Sequence, residues 1–212
     1  GELGKGGAEY QLHELVRHLD HEQFLPYVIV LSGGGWWTQP VRALDVTVTE
    51  LPRRVPADVA RVSGLRAALR RFAPAVLHTV LLVGQLLWAG CCARAAIRVR
   101  IAAERNVIRR SWWQRLVERA LDRVTEVYQV KYQAVADELV MHGRLPATKT
   151  RVIANGIDLG RSPPLPLRAG PLRLLCVVRF FEKKRLDTLI DACGLLRDQG
   201  VAFELQMYGD EP

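Results

Sequence analysis

Apolar positions recur along the chain in two alternating rhythms. Ala8, Leu12, Leu15, Val16 and Leu19 keep the three- and four-residue spacing of one helical face and predict a helix over residues 8–19. Tyr27-Val28-Ile29-Val30-Leu31 is a short β-branched run that ends in Ser32-Gly33-Gly34-Gly35, the pattern of a buried strand and a loop. Val46 to Thr49 alternates as a strand, and Pro56 to Phe72 is helical with arginines on its outer face. The alternation goes on with strands predicted over 75–79, 99–103, 126–130 and 151–154, and helices over 82–97, 112–121 and 132–142.

A proline-rich stretch, Ser162-Pro163-Pro164-Leu165-Pro166, interrupts this pattern. Prolines stiffen a connector and block both helix and ladder, so residues 162–171 are expected to form a linker. Beyond it the rhythm restarts: a strand over 172–178, a helix over 183–199 and a strand over 203–207. Short apolar strands alternating with helices predict an α/β fold with parallel sheets covered on both faces. The two blocks are expected to be doubly wound, Rossmann-like domains over 1–161 and 172–212, the second holding only a β-α-β unit. Ligands of such sheets bind beyond the carboxyl ends of the strands, so informative residues should lie just after each one.

Composition narrows the partners only a little. The 212 residues carry 30 Lys and Arg against 22 Asp and Glu, a net charge of +8. That balance favours an anionic partner: nucleic acid, a phosphorylated small molecule or an anionic membrane. The run from Ala75 to Ala93 is long and apolar, but it holds His78, Thr79, Gly84 and Gln85, so it reads as a strand then a helix rather than a membrane span. Residues 1–9 lack the basic and apolar regions of a signal peptide. Cys91, Cys92, Cys176 and Cys193 form no Cys-x-x-Cys pair and have no His at metal spacing, so they are expected to be buried, reduced thiols.

Four constellations fall where chemistry is expected. Gly4-Lys5-Gly6-Gly7-Ala8-Glu9 runs straight into a helix. Glycines there let the backbone approach a phosphate, and a helix N-terminus favours an anion, although a tight turn without a ligand has the same sequence. His78 is expected at the end of its strand, where a structural histidine is equally at home. Glu104-Arg105-Asn106 ends the next strand but one helix away, as ligand contacts or as solvated polar residues. Arg179 ends a strand and Lys183-Lys184 open the following helix, a guanidinium and an ammonium suited to a diphosphate; a solvated charge run is the plainer alternative.

In order and spacing these pieces resemble the family 4 glycosyltransferases of GT-B fold. The resemblance is carried by GKGGAE at 4–9, VLHT at 76–79, ERN at 104–106, KTRVIANGID at 149–158, VVRFFEKKRLDTLIDA at 177–192 and GDEP at 209–212. It covers essentially the whole chain. It implies a retaining transfer of a hexose-type sugar from a nucleotide-diphosphate sugar to a glycan or lipid-linked acceptor, in cell-surface polysaccharide biosynthesis. Arg179 and Lys184 would hold the donor diphosphate and neutralise the leaving group, with Gly6 and Gly7 approaching the same phosphates, or the acceptor, from the other domain. His78 would be catalytic, while Glu9, Arg105 and Asn106 would face the acceptor cleft. Asn155, Gly156 and Asp158 would sit at the domain junction, and Gly209 and Asp210 would line the nucleotide side. The resemblance implies no cofactor and no metal, and the chain has no Asp-x-Asp motif. A nucleotide sugar and a glycan or lipid-linked acceptor are the expected partners, not nucleic acid.

The chain departs from the family pattern in three ways. His78-Thr79-Val80 lacks the second histidine of the His-x-His that the family often shows. Val178 precedes the phosphate-binding arginine where the family usually has glycine, which would narrow the donor pocket. The resemblance also places a central strand before Gly1, and the donor-side glutamates beyond Pro212, so the 212 residues are expected to be inactive alone. A cytoplasmic location is expected. Trp112 and Trp113 among Arg109, Arg110, Arg115 and Arg119 would suit peripheral contact with the inner face of the plasma membrane, though a solvated basic helix reads the same. A sugar-nucleotide epimerase of similar architecture and a non-catalytic basic module that binds nucleotides or nucleic acid are the alternatives.

Overall fold

The computed structural model describes residues 3–52, 58–80, 97–104, 112–158 and 170–209. It divides into two compact units, Gly1–Asp158 and Leu159–Pro212. The predicted helix over 82–97 and most of the proline stretch lie outside the described residues, as do Cys91 and Cys92.

The first unit alternates strand and helix. Helix α1 spans Gly7–His18, strand β1 Tyr27–Val30, helix α2 Thr38–Arg42, strand β2 Thr47–Glu50 and helix α3 Val59–Phe72. Strand β3 covers Val76–Val80 and β4 Val99–Glu104, followed by α4 over Trp112–Asp122, β5 over Val127–Val130, α5 over Gln133–Met141 and β6 over Thr150–Val152. Every strand pair is parallel. β1 pairs with β2 as one ribbon, and β3-β4-β5-β6 form a four-stranded sheet in chain order.

Local chemistry sets several boundaries. The Asp58 carboxylate accepts from the Arg61 N–H at 3.0 Å and caps α3. Ala73, left-handed at φ 47°, ends that helix just before Pro74. In α1 the predicted apolar face is narrower than its sequence pattern: Val16 is buried and Leu12 packs on the core, but Leu15 is 45% exposed. Helix α2 has no sequence periodicity to announce it. It is a five-residue element whose Pro40 sits in the first turn, where a missing N–H costs nothing.

Among the described residues, one core cluster gathers at each of the two sheets of this unit. Leu3, Val16, Val28, Val30, Val41 and Val46 gather around β1 and β2. Ala102, Tyr128, Val130, Ala136, Leu139 and Leu145 pack between β4, β5 and α5.

The second unit contains β7 over Leu172–Val177, helix α6 over Leu186–Asp198 and β8 over Phe203–Tyr208, with β7 and β8 parallel. The helix predicted to open at Lys183 does not do so. Glu182–Lys184 form a separate 3-10 turn, and Arg185 adopts a left-handed conformation at φ 51° before α6 begins. Cys176 and Cys193 are free and half-buried, not fully enclosed as expected.

Among the described residues no helix is long and apolar enough to cross a membrane. Trp112 and Trp113 open α4, but their side chains and that of Arg115 lie outside the described set, while Arg119 in the last turn is exposed.

Candidate functional site

In the first unit the glycine loop leads into α1 through Gly6, an extended residue at φ −118° with no side-chain cap. The Gly6 N–H donates to the Gly4 carbonyl at 2.9 Å. Glu9, in the first turn, folds its carboxylate back against Gly6 so closely that a Cβ at position 6 would collide with it. A carboxylate in a first turn is favoured by the helix dipole. A side chain at 6 would therefore have to displace the Glu9 carboxylate, whereas the space around Gly7 is open. An anion reaching this N-terminus would meet Gly7 on its open side and Glu9 on the other.

Aromatic rings surround the loop. The Lys5 ammonium lies 4.8 Å from the centre of the Trp36 ring, which is 63% exposed. Trp37 packs against Tyr10 at 5.6 Å and His13 at 4.9 Å.

The turn after β6 meets the same helix. The Gln11 amide donates to the Gly156 carbonyl at 2.7 Å and accepts from the Gly156 N–H at 3.0 Å. Arg17 lies 3.9 Å from the Asp158 carboxylate. Of the residues expected at the domain junction, Gly156 and Asp158 are thus drawn to α1, the helix that follows Gly6 and carries Gly7 and Glu9. Neither Gln11 nor Arg17 was singled out. Their partners lie more than 140 residues away, and no local spacing encodes that.

The sheet edge between these features holds the remaining candidates. His78 is the third of five residues in β3, opposite Ile101, so it stands two residues short of the strand end where it was expected. Glu104 is the last residue of β4 and is buried. A cavity of about 10 Å³, room for no more than one water, is lined by Glu104, Glu118, Tyr128 and Arg144. Arg144 lies 3.5 Å from Glu118. Burial, aided by the negative charge of Asp122 and Glu104, holds the Tyr128 phenol well above its ordinary range, while a hydrogen bond with Thr125 works the other way. Arg105 and Asn106 lie outside the described residues, as does Asp210.

In the second unit the site lies at the carboxyl edge of β7 and β8. The Val178 N–H donates to the Tyr208 carbonyl at 3.0 Å, carrying the ladder one step past β7. Gly209 then sits directly against the Val178 backbone, where any Cβ would strike the Val178 carbonyl. Arg179 follows, exposed, with its guanidinium 5.2 Å from the centre of the Phe181 ring. Lys184, also exposed, ends the 3-10 turn, and its N–H donates to the Phe181 carbonyl at 2.8 Å.

The neighbouring Arg185 is committed elsewhere. It grips Asp187 with hydrogen bonds of 3.0–3.2 Å and reaches Thr188 at 3.1 Å. That contact holds the Asp187 carboxyl below the usual carboxylate range. Among the described residues neither Arg179 nor Lys184 forms an ion pair, so both cations face solvent at the sheet edge. Also among the described residues, no group of three or more His, Cys, Asp or Glu side chains is arranged to hold a metal.

Comparison with known proteins bears on the family and the fold. The chain is 43% identical over 70 residues to the amylovoran biosynthesis glycosyltransferase AmsK of Erwinia amylovora, a match over 31% of this chain and 17% of that protein. The matched stretch is thus about a sixth of the relative's length. The fold superposes on a crystal structure of a glycosyltransferase from Rickettsia africae with a TM-score of 0.69 at 10% identity, over 99% of this chain and 67% of the other. It also superposes on the lipopolysaccharide outer core galactosyltransferase WaaB with a TM-score of 0.63 at 12% identity, over 97% of this chain and 65% of the other. At such identities the likeness is one of fold, an α/β arrangement of parallel sheets of the GT-B type. Residues 5–161 match the sequence model of Glycosyltransferase Family 4, and the chain belongs to that family.

Proposed function

We propose that the protein acts in transfer of a hexose-type sugar from a nucleotide-diphosphate sugar to a glycan or lipid-linked acceptor, with retention of anomeric configuration and without a metal. The reading takes its pathway, cell-surface polysaccharide biosynthesis, from the amylovoran enzyme it matches. The observation that carries it is the pair of exposed cations, Arg179 and Lys184, beyond the carboxyl edge of β7, neither of them in an ion pair among the described residues.

Two cations there suit a diphosphate leaving group. Negative charge grows on the leaving phosphate as the glycosidic bond to the donor breaks, and fixed positive charge stabilises that development. Arg179 offers a planar, two-pronged contact and Lys184 a point charge. Gly209, with no side chain, leaves the nucleotide side of the same edge clear. In the first unit His78, Glu9, Arg105 and Asn106 are assigned to the acceptor, with Gly7 rather than Gly6 offering open backbone to an anion.

Calorimetric titration of UDP, GDP and ADP into the protein tests the donor assignment. Loss of a charge-assisted contact lowers affinity by roughly tenfold or more, so Arg179→Ala and Lys184→Ala should each weaken the nucleoside diphosphate that binds by about that factor. Binding that ignores both substitutions, or no binding by any of the three, would sink the assignment.

A further inference from the structure

Gln11 has no part in the chemistry proposed above, yet its side chain makes a reciprocal pairing with one distant residue. Nε2 donates to the Gly156 carbonyl at 2.7 Å and Oε1 accepts from the Gly156 N–H at 3.0 Å. A primary amide that both donates to and accepts from a single backbone residue reproduces the exchange made by a neighbouring strand. Gly156 lies four residues past the end of β6 and is exposed, so the side chain stands in for a strand where the ladder has run out. Six residues along, Arg17 faces Asp158 at 3.9 Å with both side chains about one-third exposed. Such an exposed pair adds little energy, but it points the same way.

One helix therefore carries two features at once. The glycine loop opens the 12-residue α1 at Gly7, and the flank of the same helix grips the turn over 155–158, which directly precedes the second compact unit. We propose that Gln11, assisted by Arg17, is a positioning residue: a latch that holds the 155–158 turn to α1, so that an anion bound at the glycine loop also stiffens the turn. The latch rests on geometry alone. Its coupling to an anion rests on the donor reading given above.

A plainer role for Gln11, support of α1 itself, makes the opposite prediction. Alanine is the stronger helix former, so Gln11→Ala reinforces α1 while it cuts the latch. Amide hydrogen exchange followed by NMR on the 212-residue protein separates the two. In Gln11→Ala the Gly156 N–H should exchange about tenfold faster, with the α1 amides unchanged or slower. In Gln11→Glu the carboxylate can accept from the Gly156 N–H but cannot donate to its carbonyl, so exchange there should fall between those of the unsubstituted protein and Gln11→Ala.

Inorganic pyrophosphate then probes the coupling. It should slow exchange at residues 5–7 and at Gly156 in the unsubstituted protein, but only at residues 5–7 in Gln11→Ala. Unaltered Gly156 exchange in Gln11→Ala would overturn the latch. Protection at residues 5–7 that never reaches Gly156 would overturn the coupling. No response at residues 5–7 would refute the anion reading of the glycine loop, and with it the coupling, while the exchange comparison still decides the latch.

Discussion

At Gly209 the missing side chain is a steric requirement of the β7–β8 edge. A Cβ would be driven into the Val178 carbonyl, next to the 3.0 Å bond from the Val178 N–H to Tyr208 that carries the ladder on. Overpacking of this kind costs about 1–3 kcal/mol. Gly209→Ala should therefore loosen the end of the ladder, with faster amide exchange at Val178 than in the unsubstituted protein. The same change should weaken nucleoside diphosphate binding, because Arg179 is the next residue along. Unchanged exchange at Val178 would show that the edge accommodates the methyl group. Gly6 carries a milder version of the same constraint, since its obstacle is the movable Glu9 carboxylate rather than backbone.

Among the elements, α3 depends most visibly on one end. Its N-terminus is held by Asp58, which accepts from the Arg61 N–H, and its last turn carries Arg70 and Arg71, where positive charge is favoured. Replacing a capping carboxylate by a methyl group costs about 1 kcal/mol. Asp58→Ala should lower stability to urea by that amount, while Asp58→Asn, which keeps an oxygen acceptor, should lose far less; no loss in Asp58→Ala would mean that the cap contributes nothing. Strand positions were legible because short β-branched runs have few other uses, and the edges of β1, β3, β4, β5 and β7 fall within a residue or two of expectation. Helix α2 was not legible, being too short for any period to show and crossed by Pro40. The break before α6 was not legible either. Arg185 is a good helix former by composition, and its left-handed backbone goes with a side-chain clasp on Asp187 and Thr188 that only the folded chain displays. For the candidate site, residues after strands could be found from their positions, as with Arg179 and Asn155. Gln11 could not, because a polar residue on the outer face of a helix looks the same whether it meets water or a turn 145 residues away.

Across the whole molecule, burial is unevenly shared. The core clusters around Val30 and Val130 lie in the first unit. In the second unit no described residue is buried, and Leu175 at 66%, Val177 at 68%, Ile190 at 56% and Leu195 at 64% stand exposed. Ordering a residue costs about 1–2 kcal/mol of backbone entropy, and apolar burial is the main term that offsets it. With two strands, one long helix and no enclosed core among its described residues, the second unit has little of that offset from its own packing. The two units should therefore not unfold as one cooperative body. Amides over 172–208 should be protected within about tenfold of an unfolded chain, whereas those over 127–145, around Val130 and Leu139, should approach the protection set by global unfolding. Limited trypsin digestion should accordingly cut at Arg173, Arg179, Lys184 or Arg197 before it cuts at Lys131 or Arg144. Equal protection across the two ranges would show that the second unit gains stability from something other than its own packing. A nucleoside diphosphate clamped by Arg179 and Lys184 would supply stability of that kind by binding only the folded form. Protection over 172–208 that rises with nucleoside diphosphate concentration, while 127–145 stays constant, would then tie the stability of this unit to its ligand.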